Sequence, residues 1–367
     1  MGNDFSKTDA AEPVLRGGDA AGASLHSRIQ GAALPDLERT KAAVGTEIRA
    51  NPHNRRVTSA LAPRSHVLPV PNGWYALIGS RELDQGDIVS IRAVDRDLVV
   101  FRDGEGAAHV FDPYCPHMGA HLGGGKVQGC SLKCPYHGWE FGIDGMCAVI
   151  PYSDARIPAR ARVGTYEVRE QDGVIYLWYH AAGKPATYEI PRVDEYTNPA
   201  WGDAHVWEFE LVAALQEMAE NNVDFAHFKY VHGREVVPQG VSEHHFDGPF
   251  ASVEENLGDG LGFLRESVGP GIAVLRFAGL MTVVATTTPI DRGNCRLLWH
   301  FYFPTEMEGA ADDLILSVVG PYGLQADVPI WRDMKFQEHP VLVKGDGPFA
   351  EYRRWYSQFY EGSEREK

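Results

Sequence analysis

Two short segments constrain this chain more than any other feature: Cys115-Pro116-His117 and Cys134-Pro135-Tyr136-His137, separated by sixteen residues. Each pairs cysteine with histidine, as Cys-x-His and Cys-x-x-His. A two-iron, two-sulfur cluster with two thiolates on one iron and two imidazoles on the other needs this mixed set. Imidazole is neutral where thiolate is anionic, so such a cluster has a higher potential than an all-cysteine one. Gly119, Gly123, Gly124, Gly125 and Gly138 let the ligand loops close tightly and bring backbone N–H groups to the sulfides. Structural zinc also accepts two cysteines and two histidines, but usually as a cysteine pair followed by a histidine pair. The candidate cluster ligands are therefore Cys115, His117, Cys134 and His137.

A cluster of this kind is a Rieske centre. High-potential respiratory Rieske proteins carry an extra cysteine in each ligand loop, and here such places hold other residues, such as Tyr136. That points to the lower-potential, oxygenase-type cluster. The chain has five cysteines, an odd count with four of them between Cys115 and Cys147, which does not suit a disulfide framework. A reducing compartment, the cytoplasm, is expected. Cys130, Cys147 and Cys295 read as plain thiols, and His121 reads as a loop residue.

At 367 residues the chain has room for an electron-entry module and a catalytic module. Hydrophobic residues make up 44% of it, enough for sizeable cores. A formal net charge of −16 argues against a nucleic-acid or anionic-membrane surface, since phosphate binding needs clustered Lys and Arg. The most apolar stretch, Gly271 to Pro289, is interrupted by Arg276 and rich in β-branched residues, so it reads as two buried strands rather than a membrane span. No secretory signal is expected, because the N-terminus lacks an apolar run. The opening Met1-Gly2-Asn3-Asp4-Phe5-Ser6 fits the N-myristoylation pattern, which is short enough to arise by chance.

Residues 1–64 lack a sustained apolar period and read as a flexible arm, with one short helix near Leu37 to Ile48. Residues 65–182 carry short strands at Trp74–Ile78, Ile88–Ala93, Leu98–Arg102, Ala108–Phe111 and Val174–Tyr179, giving a small all-β domain. Residues 183–367 change to α plus β. A helix is expected over Val212 to Phe228, strands around Phe263, Ala273, Met281, Leu297 and Leu314, and a helix over Asp327 to Gln337. Phe349, Tyr352, Trp355, Tyr356, Phe359 and Tyr360 recur at helical steps and predict a docking helix. The Gly-rich turn at 258–262 lacks the strand and helix context of a dinucleotide fingerprint.

The second chemical signal is Glu220-Asn221-Asn222-Val223-Asp224-Phe225-Ala226-His227-Phe228-Lys229-Tyr230-Val231-His232. Two histidines plus a distant carboxylate make a facial triad that leaves open positions on Fe(II) for dioxygen. Five residues apart, His227 and His232 point about 140° apart on an ideal helix. The helix must distort or end between them, and Gly233 suits an ending. Alone, two histidines near a helix end are more often structural; a cluster upstream reverses this, since its electrons need a destination. The carboxylate remains open among Asp312, Asp313, Asp327, Asp333 and Asp346, although Asp333, between Arg332 and Lys335, suits a solvated face.

With these motifs in place, the chain resembles the Rieske oxygenase family, in its steroid and sterol branch. The segment from Pro71-Asn72-Gly73-Trp74 through Ile150-Pro151-Tyr152-Ser153 to Tyr179-His180 is similar to the cholesterol 7-desaturases. Gln325-Ala326-Asp327-Val328-Pro329-Ile330-Trp331 and Arg353-Arg354-Trp355-Tyr356-Ser357-Gln358-Phe359-Tyr360 resemble both these and the bacterial 3-ketosteroid 9α-hydroxylase oxygenases. The resemblance implies an α+β fold, a Rieske domain followed by a helix-grip domain with a curved antiparallel sheet and an apolar channel. It makes Asp327 the third ligand beside His227 and His232. It makes Asp224 a bridge between a ligand histidine and His137 of a neighbouring subunit, hence a head-to-tail homotrimer, and carries Asn221 as a further catalytic candidate.

The expected cofactors are a [2Fe-2S] cluster and mononuclear Fe(II). Lacking a nucleotide or flavin fingerprint, the chain would receive NAD(P)H-derived electrons through a separate reductase or a ferredoxin. The expected activity is hydroxylation or desaturation of an apolar, steroid- or sterol-like substrate by dioxygen. An aromatic or alkaloid substrate, or a non-catalytic electron carrier, are the competing readings. No nucleic-acid partner and no membrane association are expected.

Overall fold

A computed structural model describes residues 68–233, 244–256 and 262–361 of the chain. The expected arm, its helix, the myristoylation pattern and most of the Gly-rich turn lie outside these residues.

The first part of the chain is built from short antiparallel strands. They are β1 (Gly73–Gly79), β2 (Ile88–Ala93), β3 (Arg96–Arg102), β4 (Ala108–Phe111), β5 (Lys126–Gln128), β6 (Ser131–Lys133), β7 (Glu140–Phe141), β8 (Cys147–Val149), β9 (Val168–Gln171) and β10 (Val174–Tyr179). They form three small sheets, ordered β1-β10-β9, β2-β3-β4 and β5-β6-β7-β8. All five strands expected here are present; sequence reading missed the short β5–β9. These carry few side chains for an alternating pattern to register.

The second part is organised by one seven-stranded antiparallel sheet, ordered β11-β17-β16-β15-β14-β13-β12. Its strands are β11 (His205–Val212), β12 (His245–Asp247), β13 (Phe250–Asn256), β14 (Gly262–Val268), β15 (Ile272–Phe277), β16 (Met281–Asp291) and β17 (Asn294–Tyr302). The apolar run 271–289 is indeed two strands, β15 and β16, paired from Ile272↔Thr286 to Phe277↔Met281. One face of the sheet meets the first part of the chain: Thr288 Oγ1 donates to the Ala76 carbonyl and Arg296 Nη2 to that of Leu77, each at 2.7 Å. Helices cover the other face. They are α1 (Leu215–Glu220), α2 (Ala226–Tyr230), α3 (Ala311–Val319), α4 (Leu324–Asp333) and α5 (Phe349–Tyr356). Leu211, Cys295 and Leu297 pack with α1 and α4, Val283 and Phe301 with α3, and Ala251 against the α5 cluster.

Three expectations are corrected. The helix expected over 212–228 is split: β11 runs to Val212, and α1 and α2 flank a turn at Asn221–Val223. After Glu220 the N–H groups of Asn221, Asn222 and Val223 bond three residues back, so the chain tightens and leaves the α path. Leu314 lies in a helix, not a strand: Ala311, Leu314, Ile315 and Val319 are buried at helical spacing in α3. The helix around Asp327 begins earlier and ends sooner, at Leu324 and Asp333, with Met334 already extended. The α+β class and the terminal docking helix stand. Among the described residues no helix is long and apolar enough to cross a membrane.

Candidate metal centres

The first centre sits on two loops, one after β4 and one between β6 and β7. Both close by the same bonds. In the first, the Cys115 N–H bonds the Ala120 carbonyl at 2.9 Å and the Gly119 N–H returns to the Cys115 carbonyl at 2.9 Å. In the second, Cys134 bonds Trp139 at 2.8 Å and Gly138 returns to Cys134 at 3.2 Å. Gly119 and Gly138, at φ +75° and +72°, occupy the left-handed region that this closure demands.

The two loops present their ligand candidates together. Cys115 and Cys134 are buried, with their thiols within hydrogen-bonding reach. Burial foremost, with the second thiol adding, pushes Cys115 up to about 11. His117 and His137 are half-buried and turn the same ring atom inward, their Nδ1 atoms 3.1 Å apart. Trp139 stacks on His117, with centroids 4.6 Å apart and planes at 8°, and Tyr136 lies against His137. Two inner thiols and two outer imidazoles fit a cluster bound by two thiolates and two Nδ1 atoms. The other sulfurs stand apart: Cys130, Cys147 and Cys295 form no disulfide. His121 is a loop residue, its Nδ1 accepting the Gly123 N–H at 3.0 Å.

The second centre lies at the helix break. α2 ends at Tyr230, so His227 is helical while His232 lies just beyond, and Gly233 follows at φ +66°. Ending the helix removes the angular conflict: the two imidazole centroids are 4.9 Å apart. Asp327, in the first turns of α4, completes a group of three donors whose atoms all lie within 4.8 Å of one another. His232 Nε2 is 3.5 Å from Asp327 Oδ2. Asp327 is 6% exposed, and burial pushes its carboxyl up to about 7, opposed by a hydrogen bond from Asn221. Burial lowers the proton affinity of His227, leaving it a neutral donor. Two imidazoles and one buried carboxylate fit a divalent iron that keeps open positions. Asp333, in contrast, pairs with Arg332 at the surface, 2.9 Å away.

Asp224 sits beside this group. Its Oδ1 accepts the His227 backbone N–H at 3.1 Å, and its carbonyl takes His227 Nδ1 at 2.5 Å. A backbone acceptor on Nδ1 leaves Nε2 as the donor towards Asp327 and His232.

Several supporting contacts escaped sequence reading. Glu220, the first motif residue, is gripped by the Arg353 guanidinium of α5 through bonds of 2.8 and 2.7 Å. Arg265 of β14 donates to the Asn222 side chain at 2.6 Å. A Cβ on Gly347 would lie 1.5 Å from the Val223 carbonyl oxygen, so the strap before α5 presses on the turn between α1 and α2. These contacts join residues 43 to 133 positions apart, and nothing local marks them.

Comparison with known proteins finds two family matches along the chain. Residues 73–167 match the Rieske [2Fe-2S] domain and residues 177–360 the 3-ketosteroid 9alpha-hydroxylase C-terminal domain. The cholesterol 7-desaturase of Caenorhabditis elegans is 33% identical over 341 residues, which cover 79% of this chain and 77% of that protein. A 3-ketosteroid-9-alpha-monooxygenase, oxygenase component, of Rhodococcus rhodochrous is 28% identical, over 83% of this chain and 84% of its own length. Among solved structures, Pseudomonas putida CBB5 NdmA with caffeine gives a TM-score of 0.67 at 19% identity, covering 78% of this chain and 90% of that one. Dicamba monooxygenase bound to dicamba gives 0.64 at 18% identity, covering 81% and 98%. At such identities these two structures speak for the fold alone.

The protein belongs to the Rieske-type non-haem iron oxygenases, in the branch defined by the 3-ketosteroid 9α-hydroxylase catalytic domain. It is an oxidoreductase whose cofactors are a [2Fe-2S] cluster and a mononuclear iron. The non-catalytic carrier reading is set aside.

Proposed function

We propose that this oxygenase component hydroxylates or desaturates an apolar, steroid- or sterol-like substrate, using dioxygen and NAD(P)H-derived electrons from a separate reductase or ferredoxin. The observation that carries this is the convergence of His227, His232 and Asp327 on the helix-covered side of a sheet lined by Phe209, Trp299, Leu275 and Phe277. That apolar lining suits a substrate with few polar groups. The sterol and steroid enzymes among the relatives support the same reading.

In this reading Cys115, His117, Cys134 and His137 hold the cluster, and His227, His232 and Asp327 hold the iron. Iron bound there supplies the activation of dioxygen. The protein's own part is to favour the neutral form of His227 by burial, keep Asp327 aimed by Asn221, and exclude water with the surrounding helices. The chain divides at about residue 182 into a cluster domain, 65–182, and a catalytic domain, 183–367, in keeping with the two family matches.

A cluster held by these residues would pass its electrons on by the edge that His117 and His137 form. Tyr136, Met118 and Tyr152 are exposed around that edge, 60% or more, which suits a covering partner. We take that partner to be the Asp224 side of a neighbouring subunit in a head-to-tail homotrimer, with Asp224 bridging His227 and the neighbour's cluster.

A steroid screen with a surrogate reductase tests the substrate class: an oxidised steroid product is expected, and turnover of flat aromatic compounds alone overturns it. Asp224→Asn tests the bridge. It is expected to keep both metal centres loaded while substrate-dependent oxidation of the cluster in a single turnover slows at least about a hundredfold. An unchanged rate removes the bridging role.

A further inference from the structure

The helix-covered face of the large sheet, which the proposed function makes the substrate side, carries one more built feature. Cross-strand partners share a face, so register identifies a row of small residues: Ala251↔Ser267↔Ala273↔Ala285. The row ends at Trp299 and Trp207, paired with Ala285 and with each other. On one side it is flanked by Arg265, Leu275, Val283 and Phe301, on the other by Thr287, Leu297 and Phe209. Strands lie about 4.8 Å apart, so this trough crosses β13 to β17 over about 19 Å. A floor without side-chain bulk suits the flat face of an apolar molecule.

At one border of the trough, on the same face, lies the ion pair Arg265–Glu255, with Arg265 Nη2 and Glu255 Oε1 3.2 Å apart. The two residues are 7% and 4% exposed. Beyond that contact, neither Glu255 oxygen nor Arg265 Nε has a hydrogen-bond partner among the described residues. Buried polar groups left this way cost about 1–3 kcal/mol each, and more when charged, so such groups in native proteins generally serve a ligand or a water. Arg265 also donates to Asn222, next to the Asn221 that bonds Asp327, which puts the pair at the edge of the iron site.

We propose that Glu255 and Arg265 are the polar anchor of the substrate site, and that the site takes an elongated apolar molecule carrying an alcohol hydroxyl in preference to the corresponding ketone. A hydroxyl both donates and accepts, so it satisfies a carboxylate oxygen and Arg265 Nε together. A ketone only accepts, which leaves Glu255 unanswered in the interior. This inference rests on the steroid- or sterol-like reading above and names the functional group that the enzyme recognises.

The test is equilibrium binding to the holoenzyme of a 3-hydroxysteroid and of the ketone made by oxidising that one hydroxyl. The wild type is expected to bind the alcohol at least about tenfold more tightly. Glu255→Gln adds a donor that suits the ketone, and is expected to bring the ratio close to one while iron content and cluster spectrum stay unchanged. Ala273→Phe fills the trough and is expected to abolish binding of both compounds with the iron retained. Equal binding of alcohol and ketone by the wild type, or an unchanged ratio in a metal-loaded Glu255→Gln, overturns the anchor and leaves the steroid reading standing. Binding of neither compound by the wild type overturns that reading, and the anchor with it. The wild-type ratio decides the matter alone if Glu255→Gln does not fold.

Discussion

The two metal centres are built in opposite ways. Each cluster loop closes on itself: a cysteine N–H bonds the carbonyl five residues on, and a glycine N–H returns to the cysteine carbonyl. The iron centre closes locally only around its two histidines, where the His232 N–H bonds the His227 carbonyl at 3.4 Å. His227 and His232 flank a helix end, Asp327 arrives from a helix about a hundred residues later, and Arg353, Gly347 and Arg265 hold the connecting turn from three further places. A centre that closes locally tolerates remote change, while one assembled from remote pieces depends on each of them.

The sharpest way to break that comparison is Asp327→Ala. It is expected to lose the mononuclear iron and all product while keeping the cluster's visible spectrum. Asp333→Ala is expected to keep both, because Asp333 only pairs with Arg332 at the surface. Iron analysis beside the visible spectrum checks this pair. If the Asp327 variant retains its third iron and turns over, its carboxylate is only a helix-terminal group.

Arg353→Ala comes next. It leaves Glu220 facing Gln216 without its guanidinium, and breaking a buried pair in this one-sided way costs about 3–5 kcal/mol. Partial exposure of both side chains puts the expectation at the lower end. Thermal unfolding is expected at a clearly lower temperature, with iron lost on dialysis before the cluster bleaches. Cluster loss in parallel with iron would show that the two centres share one anchoring.

The smallest effects come from two glycine substitutions, one in each region. Gly347→Ala drives a methyl into the Val223 carbonyl, so the strap or the turn between α1 and α2 must shift, at about 1–3 kcal/mol. Weaker iron retention is expected beside a normal cluster spectrum. Gly119→Ala meets no neighbouring atom and carries only the strain of φ +75°, about 1–2 kcal/mol. A slightly lower unfolding temperature with both centres loaded is expected. If Gly119→Ala depletes the iron, or Gly347→Ala the cluster, the local and remote constructions are not separable.

Much of this was legible in the residues, for a physical reason. Cys115, His117, Cys134 and His137 carry their own geometry, because two six-residue turns need only the right donor types and a glycine at each left-handed position. The positions of β1–β4 and β10 also follow from alternation and turn residues. Leu314 misled because a short apolar run has no unambiguous period, and the break after Glu220 misled because helical spacing continues across a turn that only three-residue backbone bonds reveal.

What the chain alone determined is therefore the chemistry available: two thiols and two imidazoles in one pair of loops, and two more imidazoles five residues apart. What tertiary structure decided is which partners that chemistry meets. Several aspartates offer the same carboxylate, and only the packing of α4 against β11 and the helix break brings Asp327, not Asp333, to the histidines. Glu220 with Arg353, and Glu255 with Arg265, are likewise ordinary charged residues in sequence. They acquire meaning when folding removes them from water, where each charge must find a partner across the chain.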